Sequence, residues 1–262
     1  MELKLQGRAA VVTGASKGIG LAVTKALVAE GVRVTAGARH VGDELADLVR
    51  TGSVRAVEVD LATPEGPAAL VSAAGSAFGP PDILVNNVGA VRTRTGGFSS
   101  VTDQEWTTTL DINFLASVRA TREVLPLMLQ RTAGSIITVA SINARLPDPL
   151  VIDYCAAKAA LLSFSKSLSK ELGPSGIRVN TVSPGPVATD MWLGKDGVAA
   201  TVGQAGGLGA DAVIEHVARD AATGRFTHPE EVAELVLLLA SDRTANVTGS
   251  DFVIDGGMIT TV

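Results

Sequence analysis

Seven short runs of apolar, largely β-branched residues alternate along the chain with stretches of helical periodicity, and this alternation restricts the fold more than any other feature. The runs lie at residues 8–13, 32–36, 54–59, 82–86, 134–140, 177–182 and 251–254. Between them, helical patterns lie at 18–30, 65–78, 103–129, 153–172 and 229–240, with a weaker one at 43–50. A short continuous apolar run suits a strand buried on both faces, whereas a strand with one wet face would alternate. Strands that each return through a helix pair in parallel, with the helices divided between the two faces. The expected fold class is therefore α/β: a doubly wound Rossmann-type fold, a seven-stranded and mostly parallel sheet with helices on both faces. Such sheets bind ligands beyond the C-terminal ends of their strands, so the polar residues that follow each run carry the most information.

No Pro/Ser-rich linker, charge run or internal repeat divides the 262 residues, and 46% hydrophobic content can fill a large core. Residues 1–262 are read as one domain, with a glycine-rich insertion at about 190–225 beside the site rather than a boundary. A net charge of -5 offers no basic face to nucleic acid, and three scattered histidines (His40, His216, His228) with one cysteine make no metal-ligand cluster. Neither a metal nor a nucleic-acid partner is expected. No run approaches the ~18 apolar residues of a membrane span, so no membrane partner is expected either. Cys155, the single cysteine, excludes an intramolecular disulfide, and the opening "MELKLQG" has no apolar run fit for secretion. The expected location is the cytoplasm and the expected partner a small molecule.

The first apolar run ends in "VVTGASKGIGLAV". Gly14 closes it, and Gly18 and Gly20 open a helix whose repeat runs through Leu21, Ala22 and Leu27 to Gly31. Such a turn aims free backbone N–H groups and the positive helix end at whatever lies above it, and glycine lets a pyrophosphate come close. A tight turn with no ligand would need the same glycines, and the spacing Gly-x-x-x-Gly-x-Gly is not the usual dinucleotide fingerprint. A second feature is "LVIDYCAAKAALL" at 150–162, where Tyr154 and Lys158 stand one helical turn apart in a stretch poor in charge. A packing tyrosine beside a snorkelling lysine would share this spacing. A phenol that exchanges protons near neutrality would instead need the cation, because its ordinary pKa is ~10.

Eight segments in order then carry a resemblance: "TGASKGIG" at 13–20, "NNVGA" at 86–90, Asn113 in "DINF", Ser141 in "VASINA", "YCAAK" at 154–158, "SPGPVATD" at 183–190, "HPEEVA" at 228–233 and "TGSDFVIDGG" at 248–257. Together they resemble the compact, single-domain branch of the short-chain dehydrogenase/reductase superfamily, similar to 3-oxoacyl-ACP reductase-like ketoreductases. The resemblance implies catalytic roles for Asn113, Ser141, Tyr154 and Lys158. It places the pyrophosphate of a nicotinamide dinucleotide at Gly14, Gly18 and Gly20, its adenosine near Asp60 and Asn86, and its nicotinamide end near Gly185, Val187 and Thr189. Ser16, Lys17, Ile19, Arg39, Leu61, Asn87, Gly89, Tyr154, Lys158 and Pro184 are the further cofactor-binding residues it implies. It also implies a homotetramer or homodimer, with 103–129, 153–172 and "GGMITTV" as contact surfaces, and in this family the asparagine organises a water relay from the lysine.

With that pattern in place, Lys158 is expected to lower the phenol pKa: two charges ~4 Å apart at an effective dielectric near ~20 interact by about 4 kcal/mol, roughly three pKa units before desolvation. Tyr154 then protonates a developing alkoxide or deprotonates an alcohol, and Ser141 holds the substrate oxygen. Val88 and Cys155 depart from the family's commoner residues but stay small, and Cys155 reads as a core or rim residue rather than a nucleophile. Loops 91–98 and 142–152 and the insertion 191–225 are expected to line the substrate pocket. The expected activity is hydride transfer between NADP(H) and a carbonyl or secondary alcohol. An NAD-dependent alcohol dehydrogenase, a non-catalytic nucleotide-binding regulator, and a lyase or epimerase are the competing readings.

Cofactor choice is read from the end of the second run, "VTAGARH". An acid about 20 residues past the glycine turn would grip the 2'-hydroxyl of NAD. Ala38 stands there instead, followed by Arg39. Lys17, a cation opposed by the dipole of the helix it precedes, suggests an anion between them. Both point to a 2'-phosphate, worth about 3 to 6 kcal/mol in favour of NADP(H) over NAD(H) if the two add. Asp43 and Glu44 are the nearest acids that could fold back.

Overall fold

The computed structural model describes residues 2–261. Its seven strands are β1 (Ala9–Thr13), β2 (Arg33–Ala38), β3 (Val54–Glu58), β4 (Ile83–Asn86), β5 (Gly134–Val139), β6 (Ile177–Pro184) and β7 (Asp251–Ile254). They form one sheet in the order β3-β2-β1-β4-β5-β6-β7. Every pairing is parallel, so the expected architecture is met and the sheet is more uniform than expected. Alternate residues of one strand serve opposite cores: Ala10 and Val12 of β1 pack with Leu27, Val236 and Leu239, while Val11 packs with Leu70, Val124 and Ile136. Both faces are covered, and this is why the runs read as continuously apolar.

The helices that cover the sheet are α1 (Gly18–Ala29), α2 (Asp43–Arg50), α3 (Glu65–Phe78), α4 (Asp103–Leu110), α5 (Ala116–Arg131), α6 (Ile152–Leu172), α7 (Asp190–Leu193), α8 (Val198–Gly206), α9 (Ala210–Asp220) and α10 (Pro229–Ala240). Two differ from expectation. The pattern at 103–129 is not one helix, because a π-helical turn, Asp111–Leu115, separates α4 from α5. Its cause is local: the buried Asn113 side chain donates to the carbonyl of Thr109, four residues back (3.0 Å), and the ladder widens to admit it. The insertion at 190–225 is not a loop either; it contains α7, α8 and α9. Six glycines from Gly194 to Gly209 depress helix propensity enough to hide them, and packing supplies what propensity lacks: Ala199 and Gly203 of α8 and Val213 of α9 are buried, and Trp192 of α7 meets Phe226 edge-on at 5.6 Å. Among the described residues no helix is long and apolar enough to cross a membrane.

Candidate active site

The strand order reverses between β1 and β4, and the first polar cluster sits at that crevice. Gly14 (φ 69°) and Gly18 (φ 54°) hold left-handed backbone that a side chain would strain. Gly20 is needed for another reason. A Cβ there would run into the carbonyl of Gly14 and the amide of Asn87. Asn87 Nδ2 donates to the carbonyls of Thr13 and Gly14 (3.0 Å each), which staples the end of β4 to the glycine turn. Gly20→Ala is therefore expected to destabilise the protein by about 1–3 kcal/mol, as overpacking against backbone does, and a lowered Tm by calorimetry checks it.

No side chain caps α1, so its first N–H groups face the crevice beside the exposed Lys17. Ser16 and Ile19 are half-buried in the same turn. The end of β2 is Ala38, buried, and Arg39, exposed. Of the acids near this strand end, Glu58 stands opposite Ala38 on β3 and accepts from the amide of Val41 (3.4 Å), Glu44 is bound to Lys25, and Asp43 lies in the first turn of α2. Asp60, past the end of β3, is exposed and accepts from the amide of Ala62 (3.0 Å), while Leu61 beside it is buried. Asn86 is buried, with Nδ2 on Thr121 Oγ1 and Oδ1 unpartnered. An uncapped helix end, left-handed glycines and the exposed cations Lys17 and Arg39 suit a phosphate-rich dinucleotide. The chemistry of the residues fits such a cofactor.

The second cluster gathers past β4, β5 and β6. Ser141 directly follows the end of β5 and Ala140, and its Oγ accepts from the amide of Asn143 (3.2 Å). Tyr154 lies in the first turn of α6, with the Lys158 ammonium 5.5 Å from its ring centroid. Lys158 is buried, and its Nζ donates to the carbonyl of Val139 (2.9 Å). Asn113 Oδ1 accepts from the amide of Ala90 (3.0 Å), and its Nδ2 donates to the carbonyl of Ala90 (2.8 Å). A Cβ on Gly89 would stand 2.9 Å from Asn113 Oδ1 and 3.5 Å from Lys158 Nζ, so the asparagine and the lysine approach each other across that glycine. Four residues separated by up to 45 positions thus share one edge of the sheet (Asn113 to Lys158).

On the electrostatics the structure corrects the sequence reading. Burial pushes the Tyr154 phenol up to about 12, against a smaller lowering by the Ser141 hydroxyl. Burial also brings the Lys158 ammonium down to about 8. The lysine therefore does not draw the phenol toward neutrality, because desolvation is the largest cause of the shift at both groups. At neutral pH the pair stands as a neutral phenol beside a cation.

Past β6, the amide of Gly185 donates to the carbonyl of Ile254 (2.9 Å), Pro184 ends the strand and Val187 is buried. Thr189 immediately precedes α7 and lies against the glycine turn: its Cγ2 is 3.2 Å from where a Cβ on Gly18 would be. Lys17 Nζ reaches Asp190 Oδ2 at 3.9 Å across this gap. Cys155 is buried, its thiol pushed up by burial, and its Sγ accepts from the amide of Asp148 (3.3 Å), as suits a packing residue. Sequence reasoning missed Arg94. It lies in the 91–98 loop but is buried rather than turned to the pocket.

The fold and site define a class: a doubly wound α/β protein with a serine, a tyrosine and a lysine at the C-terminal edge of its sheet. Residues 14–259 match the family model described as enoyl-(acyl carrier protein) reductase. The chain is 36% identical to a 3-alpha-(or 20-beta)-hydroxysteroid dehydrogenase of Mycobacterium bovis, covering 99% of this chain and 92% of the other. It is 32% identical to the 3-oxoacyl-(acyl-carrier-protein) reductase FabG of Vibrio cholerae over 98% and 99%. The crystal structure of L-sorbose reductase from Gluconobacter frateurii, complexed with NADPH and L-sorbose, superposes with a TM-score of 0.91 at 36% identity over the whole of both chains. The protein belongs to the short-chain dehydrogenase/reductase family of oxidoreductases.

Proposed function

We propose that the protein reduces a carbonyl group, or oxidises the matching secondary alcohol, with NADP(H) as cofactor and Tyr154 as acid/base. The observation that carries this reading is the convergence of Ser141, Tyr154 and Lys158, with Asn113 across Gly89, beside an uncapped helix end suited to a dinucleotide. The nicotinamide supplies or accepts the hydride when bound. Ser141 holds the substrate oxygen. Tyr154, neutral at pH 7 with its pKa near 12, gives that oxygen its proton as negative charge develops. Lys158, still mostly charged at pH 7 with a pKa near 8, fixes the ribose and stabilises the phenolate left behind. Asn113 holds the loop at Ala90 and so the wall on which Lys158 rests. The chain acts as one catalytic domain in a cytoplasmic homotetramer, with loops 91–98 and 142–152 and helices α7–α9 around the substrate. Oxidation of NADPH against a panel of ketoses, β-ketoacyl thioesters and steroid-like ketones tests the reading, and no turnover with any of them overturns it.

Preference for NADP(H) follows from Arg39 and Lys17 with no acid at Ala38. Both cations are exposed, Lys17 with 74% of its side chain accessible, so screening reduces the sequence expectation to about one to two powers of ten in affinity. In Lys17→Ala/Arg39→Ala the ratio of kcat/KM for NADPH over NADH is expected to fall by about that factor. A parent ratio near or below one refutes the preference.

A further inference from the structure

Arg94 is an anomaly in its segment. The rest of the stretch "VRTRTGG" after β4 is exposed or half-buried, yet Arg94 is 8% exposed and Asp153, which it meets, 1%. Arg94 Nε (3.2 Å) and Nη2 (2.5 Å) donate to Asp153 Oδ2, and Nη1 donates to Glu105 Oε1 (2.6 Å). Its amide donates to the carbonyl of Leu150 (2.6 Å). Thr109 Oγ1 also donates to Asp153 Oδ2 (2.7 Å), and the other oxygen, Oδ1, accepts from the amide of Tyr154 (3.0 Å). One carboxylate thus grips the backbone of the tyrosine on one side and the loop and α4 on the other.

The bonds continue to a second site residue. The carbonyl of Thr109 accepts from Asn113 Nδ2 (3.0 Å), and Asn113 Oδ1 accepts from the amide of Ala90, four residues before Arg94. With the backbone of residues 90–94, these bonds close a ring through Asp153, Thr109, Asn113, Ala90 and Arg94, and the amide of Tyr154 is bonded to it at Asp153. Burial alone would push the Asp153 carboxyl up, but Arg94 and Thr109 more than reverse this and keep it ionised.

A buried ion pair is poor evidence for stability, because apolar residues of similar volume often serve as well or better. What a guanidinium fork adds is directional geometry, here toward carboxylates on two different helices. We propose that the Arg94–Asp153 pair is a positioning device that sets Tyr154 relative to Asn113 and the loop after β4. This rests on the functional reading above, since it assigns the device to the tyrosine of that site. Errors of ~1 Å in placing reacting groups cost about a hundredfold in rate, so the device acts on kcat.

The test is Arg94→Met/Asp153→Leu, which removes both charges together and leaves neither orphaned. It is expected to keep NADPH affinity within about threefold of the parent and Tm within a few degrees, while kcat falls about tenfold or more. Asp153→Asn leaves the buried Arg94 charge without its carboxylate and cannot offer oxygen both to Arg94 and to the amide of Tyr154, so it is expected to lower kcat and, unlike the double variant, Tm as well; a parent-like kcat in Asp153→Asn overturns the proposal. Parent-like kcat in the double variant overturns the proposal, as does a joint loss of kcat, cofactor affinity and Tm. Tyr154 is the only tyrosine in the chain, so phenolate absorbance titrates it alone without any turnover. Its midpoint is expected to move in the double variant. If the parent reduces no carbonyl, the functional reading fails by itself, and an unmoved midpoint then overturns the positioning role separately.

Discussion

Tyr154→Phe is expected to lower turnover by about a thousandfold while NADPH binds with parental affinity. The substitution removes one oxygen from a half-buried ring and leaves the ring's packing against the Lys158 ammonium in place. What is lost is the proton. With the phenol pushed up to about 12, Tyr154 is protonated at every pH at which the fold is normally assayed, which is the form that reduction of a carbonyl consumes. General acid–base groups contribute ~10²–10⁴ in rate, and Ser141 cannot replace the phenol as acid because a hydroxyl of its kind is far weaker. Steady-state kinetics with fluorescence titration of the cofactor measures both quantities. Turnover above a few per cent of the parent removes Tyr154 from the acid/base role. The same tyrosine makes a direct check possible: phenolate absorbance in the parent should rise only well above pH 10, because burial opposes the charged form.

Lys158→Met is the second large effect, and it separates stability from activity. The ammonium is buried with one carbonyl, Val139, as its recorded partner, and burial brings its pKa from an ordinary 10.5 to about 8. In the unfolded chain the lysine keeps its proton up to the higher value. Below pH 8 both states are protonated and the native state carries the whole cost of the buried charge, about 3 kcal/mol at 1.36 kcal/mol per unit. Between pH 8 and 10.5 the unfolded state binds more protons, so parent stability rises with pH and the cost disappears. Methionine removes the charge but also the bond to Val139, worth about 1–3 kcal/mol. The variant should therefore be as stable as the parent or up to ~2 kcal/mol more stable at pH 7, with the advantage gone above pH 10.5. Turnover should nonetheless fall about a hundredfold or more, with weaker NADPH binding, because the cation serves the phenolate and the ribose together. Denaturant titrations across pH check the first part. A variant clearly less stable than the parent at pH 7 contradicts the buried-charge account, and unchanged cofactor affinity contradicts the double role.

Much of this was legible because local rules and the tertiary fold agree. The apolar run "AAVVT" becomes β1 because both of its faces find a core, and "GASKGIG" becomes a turn because Gly14 and Gly18 need left-handed backbone. Tyr154 and Lys158 share a helix face as their spacing requires. Where local rules and packing diverge, the sequence reads poorly. The glycines of 194–209 argue for a loop, yet helices form there with Ala199 and Gly203 of α8 and Val213 of α9 buried. The pattern at 103–129 reads as one helix, but Asn113 sits in a π turn that depends on the Thr109 carbonyl and the loop at Ala90, the latter distant in sequence.

The order of strands and helices, and the residues at the strand ends, were determined by the sequence itself, because periodicity and glycine stereochemistry act over a few residues. The tertiary structure decided the rest. Whether a charge near Tyr154 lowers its pKa depends on burial, which no spacing reveals, and burial proved the larger effect. Arg94 and Asp153 look like two surface charges 59 positions apart until the fold closes water out around both. Desolvation and long-range pairing are properties of the packed chain, and they turn an ordinary arginine and aspartate into the frame around the tyrosine.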